Sequence, residues 1–217
     1  MRTTSAHKDE RAPVAFYERY WLAKPHGKLD DFSRKWPILR DLIPSAPGTV
    51  ILDYGCGNGE IIKEMRVLNP AAHFVGVDVS EAALDKARGS LPDVAFHSSR
   101  DGGVVPLKDG AVDFLLCTEV IEHVYDTEAT FHEFARLLHP GGRILLTTPY
   151  HGMVKNLLLV LLAFDRHFDP TGPHIRFFSK RSLFRCLRDV RLVPERHGYI
   201  GRVFPVSMAM YVLARRI

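Results

Sequence analysis

An apolar run followed by an acid and three evenly spaced glycines is the strongest chemical signal in this sequence of 217 residues. The run Val50–Leu52 leads into Asp53, and the glycines are Gly55, Gly57 and Gly59. Such a run is typical of a buried parallel strand. Glycines after it let the backbone turn sharply and approach a ligand with no Cβ in the way. The segment therefore predicts a loop that binds a nucleoside cofactor.

A second apolar run, 73–77, ends in Asp78, about where an acid that binds ribose hydroxyls is expected. A carboxylate at this point can accept hydrogen bonds from both hydroxyls. The Gly-x-Gly-x-Gly spacing differs from the Gly-x-Gly-x-x-Gly spacing of loops that hold the pyrophosphate of a dinucleotide. This difference argues against NAD, and the two runs together favour a nucleoside cofactor.

A second group of chemically active residues, Glu119, Glu122 and His123, follows the apolar run 112–118. If the chain turns helical there, their i, i+3, i+4 spacing places them on one face. Two carboxylates and an imidazole suit Mg²⁺, Mn²⁺ or Zn²⁺, and the oxygen ligands favour the first two. A later His174 is the candidate fourth ligand. A metal there would lower the pKa of a substrate hydroxyl; without one, His123 is the best general base, with Glu122 beside it.

The elements that must position these residues alternate between strand-like and helix-like patterns. Two N-terminal helices are expected within 12–48. Strands are expected near 49–54, 73–77, 93–97, 112–118, 142–148, 192–200 and 206–214, and helices near 58–67, 80–89 and 126–138. This alternation predicts an α/β fold with a doubly wound, mostly parallel sheet of seven strands.

Through the glycine loop and the acid after the second strand, residues Thr49 to Pro149 resemble the Rossmann-like, class I S-adenosylmethionine (SAM)-dependent methyltransferases. The resemblance implies SAM as the cofactor and an antiparallel hairpin formed by the last two strands. The cofactor-binding residues that it implies are Asp53, Gly55, Cys56, Gly57, Gly59, Asp78, Val79, Asp101 and Glu119.

The same resemblance assigns roles to several of these residues. Asp53 and the loop 55–59 would face the methionine part of SAM, and Asp78 would accept hydrogen bonds from the ribose. Val79 would pack against the adenine, and Asp101 would lie near the adenine amino group.

The pattern Glu119-x-x-Glu122-His123 with the later His174 resembles two branches of this family. One contains the ubiquinone-biosynthesis O-methyltransferases, which act on catechol-like rings, and the other the small-RNA 3′-terminal 2′-O-methyltransferases. Both branches imply a divalent ion, Mg²⁺ or Mn²⁺, on these four residues. The prediction is methyl transfer from SAM to an oxygen of a small-molecule acceptor. RNA 3′-terminal 2′-O-methylation and a non-catalytic SAM-binding partner subunit are the alternatives.

Composition favours one domain without a membrane-spanning segment. A chain of 217 residues with 46% hydrophobic content can bury one good core. No apolar run approaches the ~20 residues that a span requires, and residues 1–8 lack the apolar core of a signal peptide. We therefore expect a cytoplasmic protein with a disordered tail at 1–11. The three cysteines lack metal-site spacing and are expected to be free thiols.

The region 150–189 departs from the alternation and is predicted to be an inserted helical lid over the acceptor side, before the final hairpin at 190–217. Its first part, Met153–Phe164, is nearly all apolar, and a core helix or a helix lying on a membrane surface are the alternatives. Between Asp165 and Arg202, nine basic residues stand against four acidic ones. This excess favours an anionic substrate, nucleic acid or a membrane surface, unless it forms only a solvated helix face.

The first N-terminal helix carries an aromatic stripe made of Phe16, Tyr17, Tyr20 and Trp21. Two interpretations are open for it: the stripe caps the cofactor site, or it packs the helix onto the core.

Overall fold

The computed structural model describes residues 12–23, 32–99, 103–168 and 172–217, so the tail predicted at 1–11 lies outside the described residues. A short 3₁₀ helix, Arg40–Leu42, follows the second helix. The helices are α1 (Ala12–Ala23), α2 (Phe32–Leu39), α3 (Glu60–Leu68), α4 (Glu81–Ser90), α5 (Thr127–Leu137), α6 (Met153–His167) and α7 (Lys180–Asp189). The strands are β1 (Val50–Tyr54), β2 (His73–Asp78), β3 (Ala95–Ser98), β4 (Val112–Thr118), β5 (Leu138–Pro149), β6 (Leu192–Ile200) and β7 (Ala209–Arg216).

Within the described residues the strands form one seven-stranded sheet in the order β3-β2-β1-β4-β5-β7-β6. Strands β1 to β5 run parallel to one another, whereas β7 pairs antiparallel with both β5 and β6. This topology confirms the predicted Rossmann-like α/β class with its C-terminal antiparallel hairpin. The chain order reverses at β1, which lies between β2 and β4, so the loops after β1 and β4 open a crevice at the carboxyl edge of the sheet.

The central strands are buried on both faces, which explains their continuous apolar runs. Along β1, Leu52 packs into one core and Ile51 into the other, because successive side chains of a strand point to opposite faces. Helices α5 and α7 cover the Leu52 side, for example through Phe134 and Leu183, and α3 and α4 cover the Ile51 side. The sheet therefore holds the loops at its carboxyl edge on a rigid base.

Helix α6 forms where the apolar run predicts a helix, and it extends to His167 with a kink at Ala163 (φ −157°, ψ 36°). None of its residues is buried, so the interpretation of this helix as core is wrong. Its apolar side chains are instead exposed, Leu161 by 69% and Leu162 by 80%. In the described ranges, no helix is long and apolar enough to cross a membrane.

Candidate active site

The glycine loop after β1 is fastened to the end of β2. The amide of Gly55 donates to the carbonyl of Val77 at 2.7 Å. The amide of Gly57 donates to Oδ2 of Asp78 (2.8 Å), and the amide of Ser80 donates to Oδ1 of the same carboxylate (2.9 Å). Each carboxylate oxygen has a second lone pair, so Asp78 retains the capacity to accept two ribose hydroxyls.

Helix α1 lies directly over this loop, and its close approach explains why residue 57 is glycine. Gly57 has a φ of +53°, and a Cβ there would come within 2.5 Å of the Trp21 ring. Glu18, one turn earlier on α1, accepts hydrogen bonds from the Ser80 hydroxyl (2.8 Å) and the Ala82 amide (3.1 Å). Helix α1 therefore spans the loops after β1 and β2 and covers the predicted cofactor site.

Asp53 lies behind the loop as a fully buried side chain. Neither of its oxygens has a hydrogen-bond partner among the described residues, and the same is true of Oδ1 of Asn58. Burial, helped by the nearby charge of Asp78, raises the pKa of Asp53 to about 8. A buried carboxylate is costly unless a cation pairs with it. These groups therefore fit a ligand with a positive charge, such as the ammonium group in the methionine part of SAM.

The second predicted group forms in a turn rather than in a helix. Glu119 has a φ of +53°, a left-handed conformation that a right-handed helix does not accommodate, and the amide of His123 donates to the carbonyl of Val120 at 2.9 Å. The prediction that Glu119, Glu122 and His123 share one helix face is therefore wrong. The turn nevertheless brings two of them together, with 3.7 Å between Oε1 of Glu122 and Nε2 of His123.

The segment after α6 adds His174 to this pair. One ligand atom from each of Glu122, His123 and His174 lies within 4.8 Å of the others, and we refer to these three residues as the Glu122 cluster. The amides of Ile175 and Arg176 both donate to the carbonyl of Glu122, each at 3.0 Å. This backbone pairing holds His174 against the turn.

Glu119 lies outside the Glu122 cluster because its carboxylate has other partners. Its Oε1 accepts a hydrogen bond from the hydroxyl of Thr147 (2.8 Å), and its Oε2 lies 3.3 Å from the ammonium of Lys35. The next residue of β5, Thr148, donates to Oε2 of Glu122 at 3.0 Å. Sequence reasoning missed both threonines. The available signal was two hydroxyl side chains at the carboxyl end of an apolar strand, where α/β sheets place working residues.

Burial favours the uncharged forms of the Glu122 cluster. It raises the pKa of Glu122 well above its usual range, with the carboxylate of Glu119 adding to the effect, and it lowers the pKa of His123 to about 4. Nδ1 of His123 lies 2.8 Å from the carbonyl oxygen of Pro173. That oxygen can only accept a hydrogen bond, so Nδ1 carries the ring proton and Nε2 keeps its lone pair. This nitrogen is therefore able to ligate a metal ion or to accept a proton.

One cavity of about 480 Å³ connects the cofactor loop with the acceptor side. The predicted site residues that line it are Gly55, Gly57, Asp78, Val79, Glu119, His123 and His174. The predicted residues that are buried behind its wall are Asp53, Cys56, Gly59 and Glu122. Asp101 lies outside the described residues.

The N-terminal helices form the remaining wall of this cavity. Helix α1 contributes Phe16, Tyr17, Tyr20 and Trp21, so the aromatic stripe does cap the site. Helix α2 contributes Phe32, Lys35 and Trp36, which sequence reasoning missed. Their i, i+3, i+4 spacing is a signal for one helix face, but it does not distinguish a cavity wall from a face that packs on the core.

The inserted region reaches the cavity through a different part from the one expected. Among its described residues, Pro173 and His174 line the cavity, whereas none from α6 does. The segment 172–176, which contains these two residues, therefore forms this part of the cavity wall, and helix α6 does not.

Comparison with known proteins supports the assignment that the fold and the loop suggest. Residues 45–166 match a family model described as "Methyltransferase domain". The chain is 32% identical over 152 residues to the ubiquinone biosynthesis O-methyltransferase of Aromatoleum aromaticum, covering 67% of this chain and 64% of that enzyme. It is 30% identical over 187 residues to the enzyme of the same name from Dechloromonas aromatica, covering 82% and 79%. The chain thus spans slightly less than two thirds of the first of these relatives.

A solved structure shares the fold over nearly the whole chain. The geranyl diphosphate C-methyltransferase of Streptomyces coelicolor A3(2) superposes with a TM-score of 0.72 at 17% identity, covering 96% of this chain and 100% of that one. Fold and glycine loop together define a class I SAM-dependent methyltransferase. Because the family model covers more than half of the sequence, the chain belongs to the methyltransferase-domain family.

Proposed function

We propose that this protein transfers a methyl group from SAM to a hydroxyl oxygen of a small-molecule acceptor. The observation that carries the proposal is the single cavity that joins Gly57 and Asp78 at one end to His123 and His174 at the other. Its volume of about 480 Å³ lies within the roughly 300–1,000 Å³ of small-molecule sites. A donor and an acceptor held in one cavity react in a fixed orientation.

The cofactor end has residues that fit SAM. Asp78 accepts hydrogen bonds from the ribose hydroxyls with its remaining lone pairs, and Val79 packs against the adenine. From behind the loop, the carboxylate of Asp53, which has no hydrogen-bond partner among the described residues, offsets positive charge on the methionine part. When bound, SAM supplies a methyl group activated by its sulfonium.

At the acceptor end, His123 is the proposed general base. The acceptor oxygen forms a bond to the methyl carbon while its proton passes to Nε2 of His123. The carbon–sulfur bond breaks, and its electron pair remains on the sulfur of S-adenosylhomocysteine (SAH). Oε1 of Glu122 lies 3.7 Å from Nε2, so the positive charge of the imidazolium that results favours ionisation of this carboxyl, and the two charges then stabilise each other.

A divalent ion on the Glu122 cluster is the second version of this chemistry. The residues fit such an ion because Oε1 of Glu122 is buried without a hydrogen-bond partner among the described residues, and two imidazoles lie within reach of it. Glu119 is not among the ligands, because its carboxylate contacts Thr147 and Lys35. The remaining ligand set of one carboxylate and two imidazoles suits Mn²⁺ or Zn²⁺ better than Mg²⁺. The ion would lower the pKa of the acceptor hydroxyl. Nε2 of His123 cannot both ligate the ion and accept the proton, so the two versions exclude each other.

The lining of the acceptor end favours a hydroxylated aromatic ring. Tyr17, Phe32 and Trp36 contribute aromatic surface, and the Tyr17 ring packs edge-on against His123 with 5.4 Å between centroids. An acceptor ring can pack on these side chains in the same way. The name of the two relatives, ubiquinone biosynthesis O-methyltransferase, supports oxygen as the methylated atom.

Methylation of an RNA 3′ end is the second candidate, favoured by the Glu122 cluster and by the exposed basic residues of α7. Nucleic acids are usually bound along cationic grooves. The aromatic walls that α1 and α2 place over the cavity favour the small molecule instead.

Transfer from isotopically labelled SAM to phenols, catechols and short RNAs tests the proposal. We expect mass spectrometry and NMR to locate the label on an oxygen of a ring-bearing acceptor. Methylation only at carbon or nitrogen, or SAH binding without transfer to any acceptor, would contradict it. A chelator decides between the versions: loss of transfer with retained SAH binding supports the metal ion, and full activity supports His123 as base.

A further inference from the structure

Helix α6 presents an unusually wide exposed apolar face. At 3.6 residues per turn, its exposed apolar residues span roughly 200° of the helix circumference, about twice the ~100° stripe that packs a helix onto one core. Contiguous exposed apolar patches mark interaction sites. These side chains are Met153, Val154, Leu157, Leu158, Val160, Leu161, Leu162 and Phe164.

The loop between β6 and β7 extends this face. Its Val203 and Phe204 are exposed by 81% and 57%. The ammonium of Lys155 on α6 donates to the carbonyl of Met208, at the end of the loop, at 3.2 Å. This contact places the loop beside the first turns of α6. We refer to the eight exposed side chains of α6 together with Val203 and Phe204 as the apolar surface.

Basic residues border the apolar surface. Lys155 and the exposed Arg166 lie on α6, whose one acid is Asp165. Arg202 lies next to Val203 in the loop, and its charge acts on Lys155 closely enough to help burial lower the pKa of that ammonium. The border is therefore cationic on both the helix and the loop.

Helix α7 adds to this cationic border. The amide of His151, just before α6, donates to the carbonyl of Phe178 at 3.1 Å. This hydrogen bond brings the start of α7 next to the start of α6. The first two residues of α7, Lys180 and Arg181, are both exposed.

We propose that the apolar surface docks the protein on an anionic phospholipid bilayer, with α6 lying among the headgroups. A wide apolar arc edged by Lys and Arg is the pattern of an interfacial helix, and anionic lipids attract such an edge. A second copy of the chain is disfavoured as the occupant, because a two-fold interface would set this cationic border against its own copy.

The docked orientation points the active site towards the bilayer. Strand β5 pairs with β7 up to Pro149 and Ala209, so α6 and the β6–β7 loop both lie at the carboxyl edge of the sheet, where the cavity opens. An acceptor with a lipid tail would then enter from the membrane side. This orientation rests on the proposed function, whereas the docking itself does not.

Cosedimentation of the full chain with vesicles tests the docking. Vesicles of phosphatidylcholine mixed with phosphatidylglycerol are compared with vesicles of phosphatidylcholine alone. We expect binding to the anionic vesicles that weakens at high salt. Replacing Leu157 and Leu161 together by Ser should lower the affinity roughly tenfold or more for each leucine. The matched control replaces Val67 and Val104, exposed by 79% and 75% outside the apolar surface, and should bind like the parent.

Several outcomes would overturn the docking proposal. One is that the parent protein does not bind anionic vesicles. Another is that the leucine variant binds these vesicles as tightly as the parent. A third is a dimer of the parent protein that the leucine variant cannot form, without vesicle binding, which would assign the surface to a second copy. SAH titration checks that each variant is folded. Vesicle binding by a protein that transfers no methyl group would leave the docking intact and refute only the proposed function.

Discussion

The two ends of the cavity are assembled in different ways. The cofactor end comes almost entirely from one continuous stretch, residues 50–82, with α1 laid over it. The acceptor end combines α1, α2, the turn after β4 and the segment 172–176. A continuous stretch carries its geometry in the local spacing of glycines and acids, whereas an assembled end depends on the packing of the whole chain. Mutations should therefore separate cofactor binding from methyl transfer.

Both ends nevertheless contain a buried carboxyl group with an oxygen that has no hydrogen-bond partner in the described part of the chain. These groups are Asp53 behind the glycine loop and Glu122 behind the turn, and burial raises the pKa of both. Their surroundings differ, since Glu122 has Thr148 and His123 as neighbours. The cofactor end is therefore suited to receive a cation, and the acceptor end to hold a proton or a metal ion.

The largest effect on the cofactor end is expected from Asp78→Ala. The substitution removes the carboxylate that we propose accepts hydrogen bonds from two ribose hydroxyls, and each lost charged hydrogen bond is worth about 1.5 to 3 kcal/mol. Calorimetric titration with SAH should show a fall in affinity of roughly tenfold to several hundredfold. Asp85→Ala is the matched control, because it removes an exposed acid of α4 that pairs with Arg88 away from the cavity. An Asp78→Ala protein that titrates like the parent would refute the assignment of the cofactor end.

The difference between a continuous stretch and an end assembled from distant segments also explains which parts of the fold could be predicted from sequence. The strand at 112–118 is found with the predicted bounds. In a doubly wound sheet, a short apolar run with a turn on each side indicates a buried strand. Strand β5 begins at Leu138, earlier than predicted. The pairing register of β4 and β5 shifts between Val112 and Phe114, and this irregularity accommodates Gly141 with its φ of +91°. The spacing of hydrophobic residues does not reveal such a bulge.

In the candidate site, too, local features could be predicted from sequence and long-range contacts could not. The position of Asp78 beside the glycine loop could be predicted from sequence, because this acid ends the strand that follows the loop along the chain. The contact of Lys35 with Glu119 joins residues 84 positions apart, and no periodicity predicts it. Glu119 was predicted on a helix because i, i+3, i+4 spacing is ambiguous in a short segment, and its left-handed φ is set by the turn at the strand end.

A smaller effect, confined to the acceptor end, is expected from Thr148→Val. It removes the hydroxyl that donates to Oε2 of Glu122 and leaves a buried oxygen without a partner, at a cost of about 1 to 3 kcal/mol. Single-turnover methyl transfer should fall by roughly fivefold to a hundredfold, with SAH affinity unchanged. Thr147→Val, next to it, should have the weaker effect because Glu119 keeps Lys35. A loss of SAH affinity in Thr148→Val would show that the two ends are not separable.

Measured over one pH unit, the smallest effect is a pH dependence of cofactor binding that arises from Asp53. Burial raises the pKa of Asp53 in the free protein from 3.8 to about 8, so the group is protonated at pH 6 to 7. The proposed pairing with the ammonium of SAH requires it to lose that proton. The affinity for SAH should rise with pH by up to about tenfold per unit and level off above pH 8. Calorimetry in buffers of different ionisation enthalpy should detect proton release.

The same shift makes a prediction for stability. The folded-state pKa of Asp53 is raised above the unfolded value, so its contribution to the stability of the free protein is fully present below pH 3.8 and is lost as pH rises to about 8. Asp53→Asn should remove this loss and also the pH dependence of SAH binding. If the variant keeps the same pH profile for SAH, the cation is paired elsewhere.

The separation of the two ends is tested most directly by measuring binding and chemistry on one variant, His123→Ala. We predict that SAH affinity stays at the parent value while the single-turnover rate of methyl transfer falls by roughly 10² to 10⁴, the usual contribution of a general base. If a metal ion is used instead, the rate should also fall because His123 is one of the proposed ligands, and added Mn²⁺ should then restore part of the rate. A single-turnover rate equal to that of the parent, or a parallel loss of SAH affinity, would contradict the proposed roles of the two ends.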